Sequence, residues 1–69
     1  MNKLTTPTDP IGWRVQLDAA EREAFKNLAR YKFWMFGYFA ARWVFLNQLS
    51  GLKMANPFRP LVRLAKEYI

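Results

Sequence analysis

Eight of the twelve aromatic residues lie within fifteen positions, from Tyr31 to Phe45. No proline falls between Asp18 and Gln48, so this stretch is predicted to be helical. Its aromatic and aliphatic side chains point in every direction around the helix axis. A helix that is apolar all round must be covered all round. The sequence therefore predicts that one side packs within the chain and the other against a second molecule or a membrane.

The predicted long helix begins near Asp18 and ends near Gln48. Asp18 followed three residues later by Glu21 is typical of a capping box, and Gly51 favours a C-terminal stop. A continuous helix of about 32 residues would be about 48 Å long. Gly37 is the internal position at which we expect the helix to bend or break.

Two further segments complete the predicted fold. Residues 1–16 contain two prolines and turn formers without helical periodicity, which predicts an extended N-terminal arm. After a connector over 51–57, the pattern of residues 58–69 predicts a short amphipathic helix. The expected fold class is all-α: a helical hairpin of a long aromatic-rich helix and a short C-terminal helix, in one domain over 17–69.

Two apolar faces run along the predicted long helix. The first face comprises Leu17, Ala20, Ala24, Leu28, Tyr31, Met35, Tyr38, Phe39, Leu46 and Leu49. The second comprises Phe25, Ala29, Phe33, Phe36, Ala40, Trp43 and Val44. We expect an aromatic seam, buried in the core or between two copies, made of Trp34, Phe36, Phe39, Trp43 and Leu46.

Arg42 lies on the first apolar face, among aromatic residues. A buried arginine needs a carboxylate or several carbonyl groups. Three interpretations are open: pairing with Glu21 or Glu23 of an antiparallel second copy, contact with a different protein, or a head group that reaches solvent along the aromatic face. The residues predicted to contact a partner combine positive charge with aromatic surface; they are Arg22, Lys26, Arg30, Tyr38 and Arg42.

The chain of 69 residues has neither cysteine nor histidine. A chain this short buries only about 60% of its unfolded surface, and small domains compensate with disulfides, a metal or oligomerisation. The five acidic residues are scattered, so we predict no metal site and no cofactor. No nucleophile–base pair or glycine-rich phosphate loop favours catalysis. We therefore expect a non-enzymatic protein that forms a homodimer.

The formal net charge of +6 favours acidic partners. Arg59, Arg63 and Lys66 recur at helical spacing and could follow a phosphate backbone, so a basic nucleic-acid-binding protein is one alternative. A solvated polar face accounts for them equally well. A single-helix subunit of a membrane complex is a less favoured alternative, because Arg42 in the middle of residues 33–52 would cost about 2.5–3.5 kcal/mol on insertion.

The run FGYFAARWVFLNQLSGLKMANPFRPLV, from Phe36 to Val62, resembles the short early-expressed proteins of temperate bacteriophages, among them the quorum-sensing anti-activators of Pseudomonas phages. The resemblance rests on size and on the aromatic-rich helix, and it transfers no functional residue. It implies a homodimeric helical protein that inhibits a host transcriptional regulator, and also a pilus-assembly component, by direct binding.

The expected function is therefore that of a small protein-binding inhibitor or adaptor that docks on a larger host protein. The N-terminal residues lack the apolar stretch of a secretion signal. We accordingly expect the protein in the cytoplasm, which would be the host cytoplasm if a phage encodes it.

Overall fold

The computed structural model describes residues 10–69, which form three helices and no strand. Helix α1 spans Pro10–Leu28, α2 spans Phe33–Ser50, and α3 spans Arg59–Lys66. Helices α1 and α2 pack against each other as a hairpin. The all-helical class and the hairpin are confirmed, but the two arms of the hairpin are not the predicted ones.

The predicted continuous long helix is wrong, because the chain turns at residues 29–32. The amide of Lys32 donates to the carbonyl of Asn27 at 2.9 Å, and that of Tyr31 to Leu28 at 3.0 Å. This pair of hydrogen bonds is a Schellman motif, which requires a left-handed residue after the helix. Tyr31 takes that conformation with a φ of 63°. The expected bend at Gly37 is also wrong, since Gly37 lies inside α2.

The start of α1 corrects the predicted N-terminal arm. Residues 10–16 are helical, and Pro10 is tolerated in the first turn because its missing N–H would have no partner there. Asp18 lies exposed within α1, so it does not cap a helix. The remaining part of the predicted arm, residues 1–9, lies outside the described residues.

A small core joins the three helical segments. Helix α1 contributes Leu17, Ala20 and Ala24, which are spaced at three and four residues and therefore share one face. The rest of the buried set consists of Trp43 and Leu46 from α2 and Phe58 from the connector. The small alanine side chains on α1 leave room for the large side chains opposite.

The connector after α2 is held by polar side chains. Gly51 ends α2 with a φ of 74°, as the sequence predicts. The side-chain amide of Asn47 donates to the carbonyl of Met54 at 3.1 Å, and its oxygen accepts from the Met54 amide at 2.9 Å. The Ser50 hydroxyl accepts from the Leu52 amide at 3.1 Å. These bonds fold the connector back along the end of α2.

Helix α3 confirms the predicted second helix with slightly shorter bounds. The side-chain oxygen of Asn56 accepts a hydrogen bond from the Phe58 amide at 2.7 Å just before the helix begins. Pro60 occupies the first turn, where proline is favoured. None of the residues of α3 is buried, so Phe58 and the half-buried Leu61 attach this segment to the core.

Candidate functional site

Phe58 lies at the centre of an aromatic cluster. Its ring centroid is 5.2 Å from that of Phe25, 5.7 Å from Phe36 and 6.1 Å from Trp43. The contacts with Phe36 and Trp43 are edge-to-face, with interplanar angles of 85° and 87°. Such pairs contribute about 0.5–1.5 kcal/mol beyond the area that they bury. Phe58 therefore ties both helices of the hairpin to α3.

Sequence reasoning missed this role of Phe58. It lies between Pro57 and Pro60, which fix the backbone on both sides. An aromatic residue held by flanking prolines in a connector is a signal that could have been used. The helical pattern alone treated Phe58 as one more residue on the apolar face of the second helix.

An open groove lies between α2 and α3, with a volume of about 360 Å³. This α2–α3 groove is lined almost entirely by apolar side chains: Phe36, Ala40, Ala41, Val44, Asn56, Phe58, Leu61, Val62 and Ala65. Small side chains at Ala40 and Ala41 face larger ones on α3. The single polar side chain is that of Asn56, whose oxygen already accepts from the Phe58 amide.

A second apolar surface lies on the side of α2 that faces away from the core. We call it the outer α2 face; its residues are Trp34, Tyr38, Phe45 and Leu49, which are 88%, 55%, 57% and 53% exposed. They follow one another by four, seven and four positions, so they form one stripe along the helix. Neither α1 nor α3 covers it.

The predicted aromatic seam divides between the core and this outer face. Trp43 and Leu46 are buried, and Phe36 and Phe39 pack against them within the same chain. Trp34 alone of the five is strongly exposed. The turn at residues 29–32 shifts the helical phase, which also leaves Tyr31, Met35, Tyr38 and Leu49 of the predicted first apolar face exposed.

The five residues predicted to contact a partner are all exposed, but they do not form one surface. Arg22 and Lys26 lie on the side of α1 opposite its buried alanines, and Arg30 lies in the turn. The Lys26 amine is 3.8 Å from a Glu23 carboxylate oxygen. Tyr38 lies on the outer α2 face. Because the core faces of α1 and α2 meet, their outward sides point in opposite directions.

Arg42 is exposed, at the flank of the outer α2 face. Its neighbours one helical turn away include Tyr38 and Phe45 of that face. Since the head group is not buried within the chain, no carboxylate is needed to neutralise it there. Arg42 is thus available to a second molecule that covers the outer α2 face.

The basic ridge on α3 is exposed at all three positions, Arg59, Arg63 and Lys66. Val62 lines the α2–α3 groove, with Arg59 three residues before it and Lys66 four residues after it. Residues at these spacings are neighbours on a helix surface. Two of the three ridge residues therefore flank the groove.

The basic charge extends well beyond the ridge. Between Glu23 and Glu67 the sequence has eight lysine and arginine residues and no acidic residue. This interval contains the turn, α2, the connector and α3. Both apolar surfaces are consequently built from segments whose charged residues are lysine and arginine.

Comparison with known proteins gives no relative. No protein-family model, curated protein or solved structure matches the chain. The resemblance to early phage proteins stays a prediction.

Residues 10–69 contain neither a cluster of metal ligands nor a helix that could span a membrane. Within that range, no three cysteine, histidine, aspartate or glutamate residues lie together in a way that could hold a metal ion. Over the same range, no helix has the length and apolar character required to cross a bilayer.

Proposed function

We propose that this chain is a small, non-enzymatic inhibitor or adaptor that acts as a homodimer and docks on a larger protein, such as a transcriptional regulator. The observation that carries the proposal is the uncovered outer α2 face. Trp34 on this face is 88% exposed, although tryptophan is among the costliest side chains to leave in water. Exposed apolar stripes of this kind mark protein interfaces.

The composition of the outer α2 face favours a protein partner. Tryptophan, tyrosine and arginine are the residues most enriched among those that dominate binding energy, and Trp34, Tyr38 and Arg42 supply all three. Covering one large apolar side chain fully contributes about 1.5–3 kcal/mol. A partner that covers this stripe would therefore gain substantial binding energy from few residues.

The proposal of a homodimer rests on the same face. Its large side chains lie on both sides of the small Ala41, which lies at the border between this face and the α2–α3 groove. Two α2 helices packed side by side would exclude water from both stripes. Arg42 would remain at the edge of such a contact, where its head group reaches solvent.

The experiment that tests the proposed function is photo-cross-linking in cell extract. A photoreactive phenylalanine analogue replaces Phe45 on the outer α2 face and, as the matched control, Val15 on α1, which is 61% exposed. We expect covalent adducts with a second copy and with another protein from position 45 and not from position 15. Adducts with nucleic acid alone, or none, would contradict the proposal.

One observation favours a second candidate, binding to a nucleic-acid backbone. The uninterrupted basic interval between Glu23 and Glu67 would attract phosphates, and Arg59, Arg63 and Lys66 are free to approach them. Such binding would weaken steeply between low and moderate salt concentration, because counterions are released on association. Binding to a protein through the outer α2 face should depend far less on salt.

A further inference from the structure

We propose that the α2–α3 groove is the site at which the partner protein docks, and that its ligand is an amphipathic helix with acidic residues beside its apolar stripe. This inference rests on the proposed function and names the chemistry of the partner. The groove takes one helix of the partner, and the outer α2 face remains the surface that contacts the second copy and the rest of the partner protein.

The shape of the groove fits a row of apolar side chains. Its volume of about 360 Å³ lies between two helices. Ala40, Ala41 and Val44 line it from α2, and Val62 lines it from α3. A helix placed along such a groove would insert residues at i, i+3 or i+4, and i+7, which is a recurring mode of peptide recognition.

The basic residues around the groove predict that the partner carries negative charge. Arg59 and Lys66 flank Val62 at the groove, and Arg63 lies between them on the same helix. Over residues 59–67 the three basic residues outnumber the one acidic residue, Glu67, which lies four positions after Arg63. A second copy would bring the same charges and be repelled, whereas a helix carrying glutamate or aspartate is attracted.

The concave apolar lining favours a protein over the other acidic macromolecules. A phosphate backbone has no apolar ridge to fill the space between Val44 and Val62. Reading a base edge would need polar side chains, and the one polar group in the groove, Asn56, already accepts from the Phe58 amide. A membrane surface is flat on this scale and would leave the groove empty.

The rim residues permit a matched pair of variants. Val62 lines the groove and is 50% exposed, whereas Leu64 is 53% exposed, lies on the same helix and does not line the groove. Val62→Glu therefore places a charge in the groove, and Leu64→Glu places the same charge outside it. Circular dichroism of both variants checks that α3 is retained equally.

The test uses fluorescence anisotropy with a designed helical peptide that has leucine at i, i+3, i+4 and i+7 and glutamate on its other faces. Its twin has the same leucines with lysine in place of glutamate. We expect the full chain to bind the acidic peptide, Val62→Glu to raise the Kd about tenfold or more, and Leu64→Glu to leave it nearly unchanged. The lysine twin should not bind measurably.

Two further ligands separate the alternative sources of negative charge. Duplex DNA and vesicles containing anionic lipid are added as competitors of the acidic peptide. The groove assignment is overturned if Val62→Glu and Leu64→Glu change the Kd of the acidic peptide equally. It is also overturned if the chain binds DNA or vesicles in preference to the peptide. If a protein adduct still forms at Phe45 in that case, the proposed function stands and only the groove assignment fails.

Discussion

Phe58 lies between two prolines in the sequence and between two helices in the structure. Its side chain is 6% exposed and contacts aromatic rings from both α1 and α2. Because α3 itself fully buries no residue, its attachment to the core depends on this ring and on the half-buried Leu61. In this small chain, the contacts of one buried aromatic side chain therefore supply packing that a larger protein obtains from a more extensive hydrophobic core.

Replacing Phe58 by alanine should therefore unfold most of the tertiary structure. Phenylalanine-to-alanine changes in a core cost about 3–5 kcal/mol, which equals the whole stability expected of a chain this small. Urea unfolding followed by circular dichroism measures the loss. Val15→Ala is the control, because Val15 is 61% exposed on α1 and its replacement should change the free energy of unfolding by about 0.5 kcal/mol or less. Equal losses in the two variants would contradict the role of Phe58.

Tyr31 adopts a backbone conformation that glycine takes without strain. Its φ of 63° costs an L-residue about 1–2 kcal/mol relative to glycine. Tyr31→Gly and Tyr31→Ala both remove the ring contact with Phe33, so their difference isolates the backbone. We expect the glycine variant to be more stable than the alanine variant by about 1 kcal/mol in urea unfolding.

The matched comparison for Tyr31 is its neighbour Lys32, whose φ is −89°. At that position glycine relieves no strain and adds freedom to the unfolded chain, so alanine should be the more stable of the two. If the glycine and alanine variants rank in the same order of stability at both positions, the turn does not depend on the left-handed conformation of Tyr31.

Helix α2 has two apolar sides with different environments. One side packs Trp43 and Leu46 against α1, and the opposite side carries the outer α2 face. Its connection to α3 is set by Asn47, which makes two hydrogen bonds to the backbone of Met54. The side chain of one residue in the helix thus orients the segment that forms the far wall of the groove.

Asn47→Ala should loosen the connector. Each of its two hydrogen bonds contributes about 0.5–1.5 kcal/mol, and part of the loss is offset by the higher helix propensity of alanine. We expect the free energy of unfolding to fall by about 1 kcal/mol and amide exchange at Met54 to accelerate. Gln48→Ala, at the adjacent exposed position, should alter neither. Unchanged exchange at Met54 in Asn47→Ala would show that the connector is held by other contacts.

The accuracy of the sequence predictions differed between elements for identifiable reasons. The spacing of Leu17, Ala20 and Ala24 correctly gave the buried face of α1, and Gly51 correctly marked the end of α2. The turn at residues 29–32 was missed because it has no glycine or proline; Tyr31 takes the left-handed position instead. Beyond the turn, the predicted faces assumed that the helical phase of α1 continued into α2. The turn changes that phase, so these assignments no longer hold.

The same cause explains the outcome for the candidate site. A continuous helix would align Leu17 with Tyr38 and Leu49, whereas in the structure Leu17 is buried and the other two are exposed. The groove could not be predicted either, because it requires the connector to fold back and place Val62 opposite Val44. The exposure of the basic ridge was predictable, since it needs only the local periodicity of α3.

At the scale of the whole molecule, the chain is thin. Its principal extents are 47 × 23 × 14 Å. With only three helices, α1 and α2 each keep one side without a neighbouring helix. On α1 that side carries Arg22 and Lys26 together with the exposed Val15, and on α2 it carries the aromatic stripe.

Light scattering after size exclusion measures the solution mass of the purified chain, and this mass decides whether the outer α2 face joins two copies. If the outer α2 face is an interface between copies, the mass will be twice the 8.2 kDa of one chain. Phe45→Glu should reduce it to that of one chain, and Val15→Glu, on the outward side of α1, should not. A wild-type mass of one chain at the highest soluble concentration, or a dimer that Phe45→Glu leaves intact, would contradict the account.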